Sequence, residues 1–210
     1  MSPAILSAAA LFGLVTSITP GPNNMMLLAS GLNFGVRRSL PHLLGISVGY
    51  VVLMLTVGFG LGEAFRAVPN AFLAIKIAGG AYMLWLAWRI ATSASPKRAT
   101  AEHDEAKLGP AAGRPMTFLG ALAFQWVNPK AWVIVVTAVA TYVAPEEFTR
   151  DLLIVTAICG LINVPAIGIW AAFGASLRRF LSNPRWRRAF NVTMALLLVA
   201  SLRPLFAAAI

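Results

Sequence analysis

The chain has 210 residues, 59% hydrophobic and 11% charged, with a formal net charge of +10 and a mean hydropathy of +0.76. Soluble domains run near 45–50% apolar and about 25% charged, so this is the composition of an integral membrane protein. It leaves no soluble face for nucleic acid, and one cysteine, Cys159, with two separated histidines, His42 and His103, excludes an internal disulfide, a thiol-pair redox site and a clustered metal centre.

Six apolar runs are long enough for about 30 Å of hydrocarbon: residues 4–34, 40–62, 69–91, 116–143, 151–175 and 190–209. The expected fold is therefore all-α and polytopic, with six transmembrane helices. The start, Met1 to Ala4, puts no basic residue ahead of the first run, so that run reads as a retained span and not as a cleaved signal. Near its centre lies Thr19-Pro20-Gly21-Pro22-Asn23-Asn24. The second run holds Gly45 and Gly49, a spacing that lets helix backbones approach closely; Gly79 and Gly80 in the third and Gly160 in the fifth read the same way. Lys76 in the third run lies about two turns from its outer end and can snorkel to the headgroups.

Residues 93–115 are polar and divide the chain into a first half, 1–92, and a second, 116–210. The fourth run carries Gln125 and then Asn128-Pro129-Lys130 near its centre, and the fifth carries Asn163 and Pro165. Three spans is an odd number, so the halves cross the membrane in opposite senses as an inverted repeat. Twelve of the Lys and Arg residues fall in the first, third and fifth connections or, for Arg89, at the edge of one, including Arg37, Arg38, Arg114, Arg185, Arg187 and Arg188, against Arg66, Arg150 and Arg203 on the other side. The positive-inside rule makes those connections, and the 93–115 linker, cytoplasmic and places both termini outside.

The two proline motifs carry the chemistry. Proline removes a backbone donor, so a span broken at mid-depth exposes peptide groups that lipid cannot satisfy but a cavity or substrate can. Two such breaks at matching depth in two halves point to a binding site at the midplane. In the second motif Asn128 is placed as an N-cap and Pro129 as the first helical residue, leaving free N–H groups and the positive end of a helix dipole at mid-depth. In the first, Thr19 can cap a helix starting at Pro20, or Gly21 can supply a turn before Pro22. Asn23 and Asn24 add side-chain donors and acceptors. Lys130 is the basic residue near mid-depth, and must face protein or water. It reads as a carboxylate partner or a titrating amine, with bonding to carbonyls exposed by a break as the structural alternative. Gln125, Asn128 and Lys130 cannot share one helical face, but an unwound break lets them converge. Asn163 reads as an interhelical hydrogen-bonding residue.

Thr19 to Asn24, Gly31-Leu32, Gly35 to Arg38 and Asn128-Pro129-Lys130-Ala131 after a polar midpoint linker resemble the LysE/RhtB family of amino-acid exporters, over essentially the whole chain. The resemblance implies efflux of an amino acid across a bacterial inner membrane, driven by the membrane potential or a proton gradient, with the amino acid and the lipid bilayer as partners and no cofactor. Among the substrates that the resemblance implies, the absence of an anionic residue at mid-depth favours a neutral amino acid, such as one of homoserine, threonine or leucine type. Dimers are common among membrane exporters, so a homodimer is an allowed assembly. A heavy-metal exporter of the same superfamily is the alternative, and soft ions would find only Cys159 as a buried ligand. An intramembrane enzyme would need a nucleophile with a base, or a carboxylate pair, that the spans do not supply.

Overall fold

The computed structural model describes residues 1–61, 77, 81, 83–88, 90–92, 114–177 and 184–200. Every element among them is helical: α1 (Pro3–Ile18), α2 (Pro22–Phe34), α3 (Val36–Thr56) running into a π turn (Val57–Leu61), α4 (Phe118–Val127), α5 (Pro129–Tyr142), a 3-10 turn (Pro145–Glu147), α6 (Phe148–Leu177) and α7 (Pro184–Ala200). The ends are set by local chemistry. Ser2 caps α1, its Oγ accepting from Ile5 N at 3.3 Å with Pro3 at the first position, and Thr117 caps α4 by accepting from Gly120 N at 3.1 Å. Gly35 turns the chain between α2 and α3 with φ 79°, a left-handed value that favours glycine.

The chain has two single helices long and apolar enough to cross a membrane, 36–60 and 145–177, and two bent pairs that qualify together, α1 with α2 and α4 with α5. The bends are 56° and 71°. Four of the six expected spans thus have counterparts, α3 and α6 each beginning a few residues before the expected start. Much of the third span, the linker but for its last residues, the end of the sixth span, Lys76, Gly79 and Gly80 lie outside the described residues. What is described of the third span buries Met83, Leu86, Ala87 and Ile90, a helical face that joins Met25, Met26, Leu43, Ile46 and Phe124 in one apolar cluster. A second cluster packs Tyr50, Leu53, Met54, Trp132, Val135 and Cys159 around α3, α5 and α6. Outward-facing Leu11, Leu119, Val133, Leu161, Ile169 and Phe173 stay exposed, as side chains bathed by lipid do.

Bare backbone makes the closest helix approaches. A Cβ on Gly31 would strike Ala171 O, and one on Gly174 would strike Leu28 O, which locks α2 against α6, the most extensive helix pair among the described residues. Gly45 lies against Phe118 O, and Gly49 within 2.8 Å, by the same measure, of Leu122 O and of Gln125 Cγ, so the glycine spacing in α3 is the groove that seats α4. Gly160 takes the Val51 side chain against it, as its small size predicts. These contacts carry α2, α3 and α4 past one another so that both breaks meet.

Candidate functional site

The first break spans Thr19 to Gly21. Helix α2 begins at Pro22 with Gly21 as its cap residue, which settles between the two starts that the sequence allows. A helix ending in hydrocarbon leaves its last carbonyls without donors, and here each one finds one. Val15 O accepts from Thr19 N, and Thr16 O from Thr19 Oγ1 at 3.0 Å. The Asn24 amide donates to Ser17 O at 2.7 Å and Thr19 O at 2.8 Å, and Trp170 Nε1 donates to Ile18 O at 3.2 Å. Lys130 completes the set, its Nζ donating to Thr19 O at 2.8 Å, Thr19 Oγ1 at 3.0 Å and Pro20 O at 3.2 Å. Lys130 therefore bridges the two breaks by the carbonyl bonding that the sequence admits as its structural alternative.

At the second break Asn128 is the cap residue and Pro129 the first residue of α5, as the sequence predicts. The expected free donors are taken, however. Asn128 Oδ1 accepts from Lys130 N at 3.1 Å, Asn128 O accepts from Ala131 N at 3.0 Å, and Pro129 has no N–H to offer. The open donors lie instead at the start of α2, where Gly21 provides no side-chain cap and the N–H groups of Asn23 and Asn24 make no hydrogen bond among the described residues. Asn128 Nδ2 is also without a partner there. A second tie crosses the breaks: Asn23 Nδ2 donates to Gln125 Oε1 at 2.9 Å, and Gln125 Nε2 donates to Asn23 Oδ1 at 3.3 Å and to Ala121 O at 2.9 Å.

Between the breaks is a cavity of about 30 Å³, lined by residues that include Gly21, Asn23, Asn24, Asn128 and Lys130. Thr19, Pro20, Pro22, Gln125 and Pro129 do not line it; they shape the breaks or hold the residues that do. Three polar lining residues are absent from the sequence expectation of a site: Thr16, Ser17 and Tyr50. Asn163, expected as an interhelical bonder, is one and also faces the cavity, its Nδ2 donating to Ser17 Oγ at 3.1 Å and its Oδ1 accepting from Ser47 Oγ at 3.0 Å. Ser17 and Thr16 lie one turn ahead of the first break, which is the signal that would have found them. Tyr50 follows Gly49, and nothing in its local sequence separates it from a core aromatic. Asp151, first in the expected fifth span, is buried at the start of α6 with its carboxylate 3.9 Å from the N-terminal amine of Met1, away from the cavity. Among the described residues there is no group of three or more His, Cys, Asp or Glu able to hold a metal ion.

The LysE type translocator family profile matches residues 14–203. The chain belongs to that family. It is 33% identical over 201 residues to the cysteine/O-acetylserine efflux proteins of Escherichia coli strain K12, of E. coli O9:H4 strain HS and of Shigella sonnei strain Ss046, covering 95% of this chain and 96% of each relative. No solved structure matches it. As a LysE type translocator with helices long and apolar enough to span a bilayer, it is a multi-pass membrane protein.

Proposed function

We propose that the protein exports a small neutral amino acid, in the class of cysteine or O-acetylserine, through the cavity between its two helix breaks. The observation that carries this reading is the lining, which among the described residues combines uncharged hydroxyl and amide groups and a few apolar side chains with one cation, Lys130, and no carboxylate. A zwitterion fits that set, whereas a second positive charge on the side chain would be buried without a partner. The substrate carboxylate is placed at the start of α2, where the N–H groups of Asn23 and Asn24 and the helix dipole favour an anion, with Asn128 Nδ2 alongside. The relatives are named for cysteine and O-acetylserine, which supports a neutral amino acid but not the homoserine, threonine or leucine type that the sequence suggests.

A cavity of about 30 Å³ holds about two water molecules and cannot take an amino acid. Transport then proceeds by alternating access, the halves 1–92 and 116–210 rocking about the midplane and opening the breaks to each side in turn, with the arginine-rich connections cytoplasmic and both termini periplasmic. The test is efflux from cells loaded with labelled amino acids by dipeptide feeding, comparing the protein with its Lys130→Ala variant. Faster loss of cysteine or O-acetylserine, reduced at least tenfold in the variant, is expected. If no amino acid leaves faster while the protein is present in the membrane, this reading fails.

A further inference from the structure

Lys130 presents a primary ammonium to three oxygens of the first break, two backbone carbonyls and one hydroxyl, at 2.8, 3.0 and 3.2 Å. An ammonium has three donors, and three oxygens at these distances use all of them. The geometry points to a specific role: Thr19 O, Thr19 Oγ1 and Pro20 O are the binding site for the substrate's α-ammonium group, and Lys130 is a tethered competitor that holds that site until substrate displaces it. This rests on the reading of the cavity as the substrate site.

The hydrogen bonds around the break single out two of these oxygens, Pro20 O and Thr19 Oγ1, while Thr19 O is shared between Lys130 and the Asn24 amide. Ser17 O is held by Asn24 and Ile18 O by Trp170, side chains rooted in the neighbouring helices α2 and α6, while Val15 O and Thr16 O are satisfied from Thr19. Among the described residues, Pro20 O and Thr19 Oγ1 receive a donor from outside the break only from Lys130, at the end of a long flexible stem. The stem lies along Gly21, where an added Cβ would come within 2.7 Å of Lys130 Cδ and 3.0 Å of Nζ. A bare backbone at Gly21 lets the lysine fold into the cradle, and withdrawal of the lysine returns that space to a cavity otherwise too small for an amino acid.

The exchange leaves no charge unpaired. The incoming ammonium replaces the Lys130 ammonium on the three oxygens, and the released lysine, second residue of α5, pairs with the incoming carboxylate at the start of α2. Burying a charge without a partner is unfavourable, so ligands that bring both are favoured. Cradle and lysine together thus select a primary ammonium with an adjacent carboxylate, and refuse nitrogen without N–H.

The test uses purified full-length protein in lipid nanodiscs, with labelled cysteine under reductant as the bound ligand and ethylammonium, which lacks a carboxylate, as the displacer. In Lys130→Met the competitor is gone, and ethylammonium is expected to displace cysteine at a concentration at least tenfold lower than from the wild type. If ethylammonium raises the thermal stability of Lys130→Met but does not displace cysteine, the lysine is only a structural pin and the inference is overturned. The second arm needs no variant: the N,N,N-trimethyl derivative of cysteine, with its carboxylate intact, should bind the wild type at least tenfold more weakly than cysteine. Equal binding overturns the inference while leaving the export reading standing. Wild type that binds no amino acid at all brings down both.

Discussion

Asn24 holds the first break closed on itself. Its amide donates to Ser17 O and Thr19 O at 2.7 and 2.8 Å, and the residue is 3% exposed. Leaving a buried carbonyl without a donor costs about 1–3 kcal/mol, and Ser17 O has no other donor among the described residues, so Asn24→Ala should lower the thermal unfolding midpoint in detergent by several degrees. Asn24→Asp should be worse, because carboxylate oxygens would face carbonyl oxygens; a midpoint equal to that of the alanine variant would count against the contact. His42 is the opposite case. It is fully buried in α3, and neither ring nitrogen has a partner among the described residues. An unpaired buried polar group destabilises, so His42→Leu is expected to leave stability unchanged or to raise it by about 1–2 kcal/mol, with efflux intact. Loss of efflux from a stable His42→Leu protein would instead give this histidine a part in transport. At this scale the sequence is legible where partners are local. Asn128 capping Lys130 N two residues on follows from the Asn-Pro pair, whereas Lys130 reaching Thr19, 111 residues away, depends on how two helices cross.

The helices are legible through their apolar length and their breaks through proline, and both bent pairs fall where the proline motifs lie. What the breaks expose was less so. Counting helix starts alone leaves free donors at α5, yet Asn128 consumes them and the open N–H groups sit at α2, because glycine there offers no side-chain cap. The glycine spacing in α3 announced a close approach within one helix. The Gly31–Ala171 and Gly174–Leu28 contacts between α2 and α6 carry no such mark, since Gly31 is the one glycine within α2, Gly174 has no glycine four residues away on α6, and each meets a partner more than a hundred residues distant. Their importance is testable. A side chain on Gly31 would meet the backbone oxygen of Ala171, which cannot swing aside. Overpacking of this kind costs about 1–3 kcal/mol or more, so Gly31→Leu should reduce the yield of monodisperse folded protein severalfold. Gly60, with open space around its Cβ position but φ 119°, should show only the milder effect of backbone strain in Gly60→Ala. Size-exclusion profiles of the two variants, read side by side, separate the mechanisms.

Across the whole molecule, the proposed rocking of halves makes a demand on the contacts that join them. Ser47 on α3 donates to Asn163 on α6 at 3.0 Å, and Asn163 donates onward to Ser17 on α1, so this chain of side chains links the first half to the second beside the cavity. Ser30 and Ser39, whose hydroxyls are 2.7 Å apart, lie on α2 and α3 and belong to the first half alone. If access alternates between the two sides, the first link must lengthen during each cycle and the second need not. The single cysteine of the chain is buried, so it leaves a quiet background for introduced thiols. Joining Ser47→Cys to Asn163→Cys with a short reducible thiol crosslinker should stop efflux, and reduction should restore it to the level of the uncrosslinked double variant. The same treatment of Ser30→Cys with Ser39→Cys should leave efflux within about twofold, since relative motion inside a rigid half is not required. Efflux that persists through a complete Ser47–Asn163 crosslink would mean that the substrate passes without separation of the halves. The site would then have to open by movement of the breaks alone, with Lys130 as the part that moves.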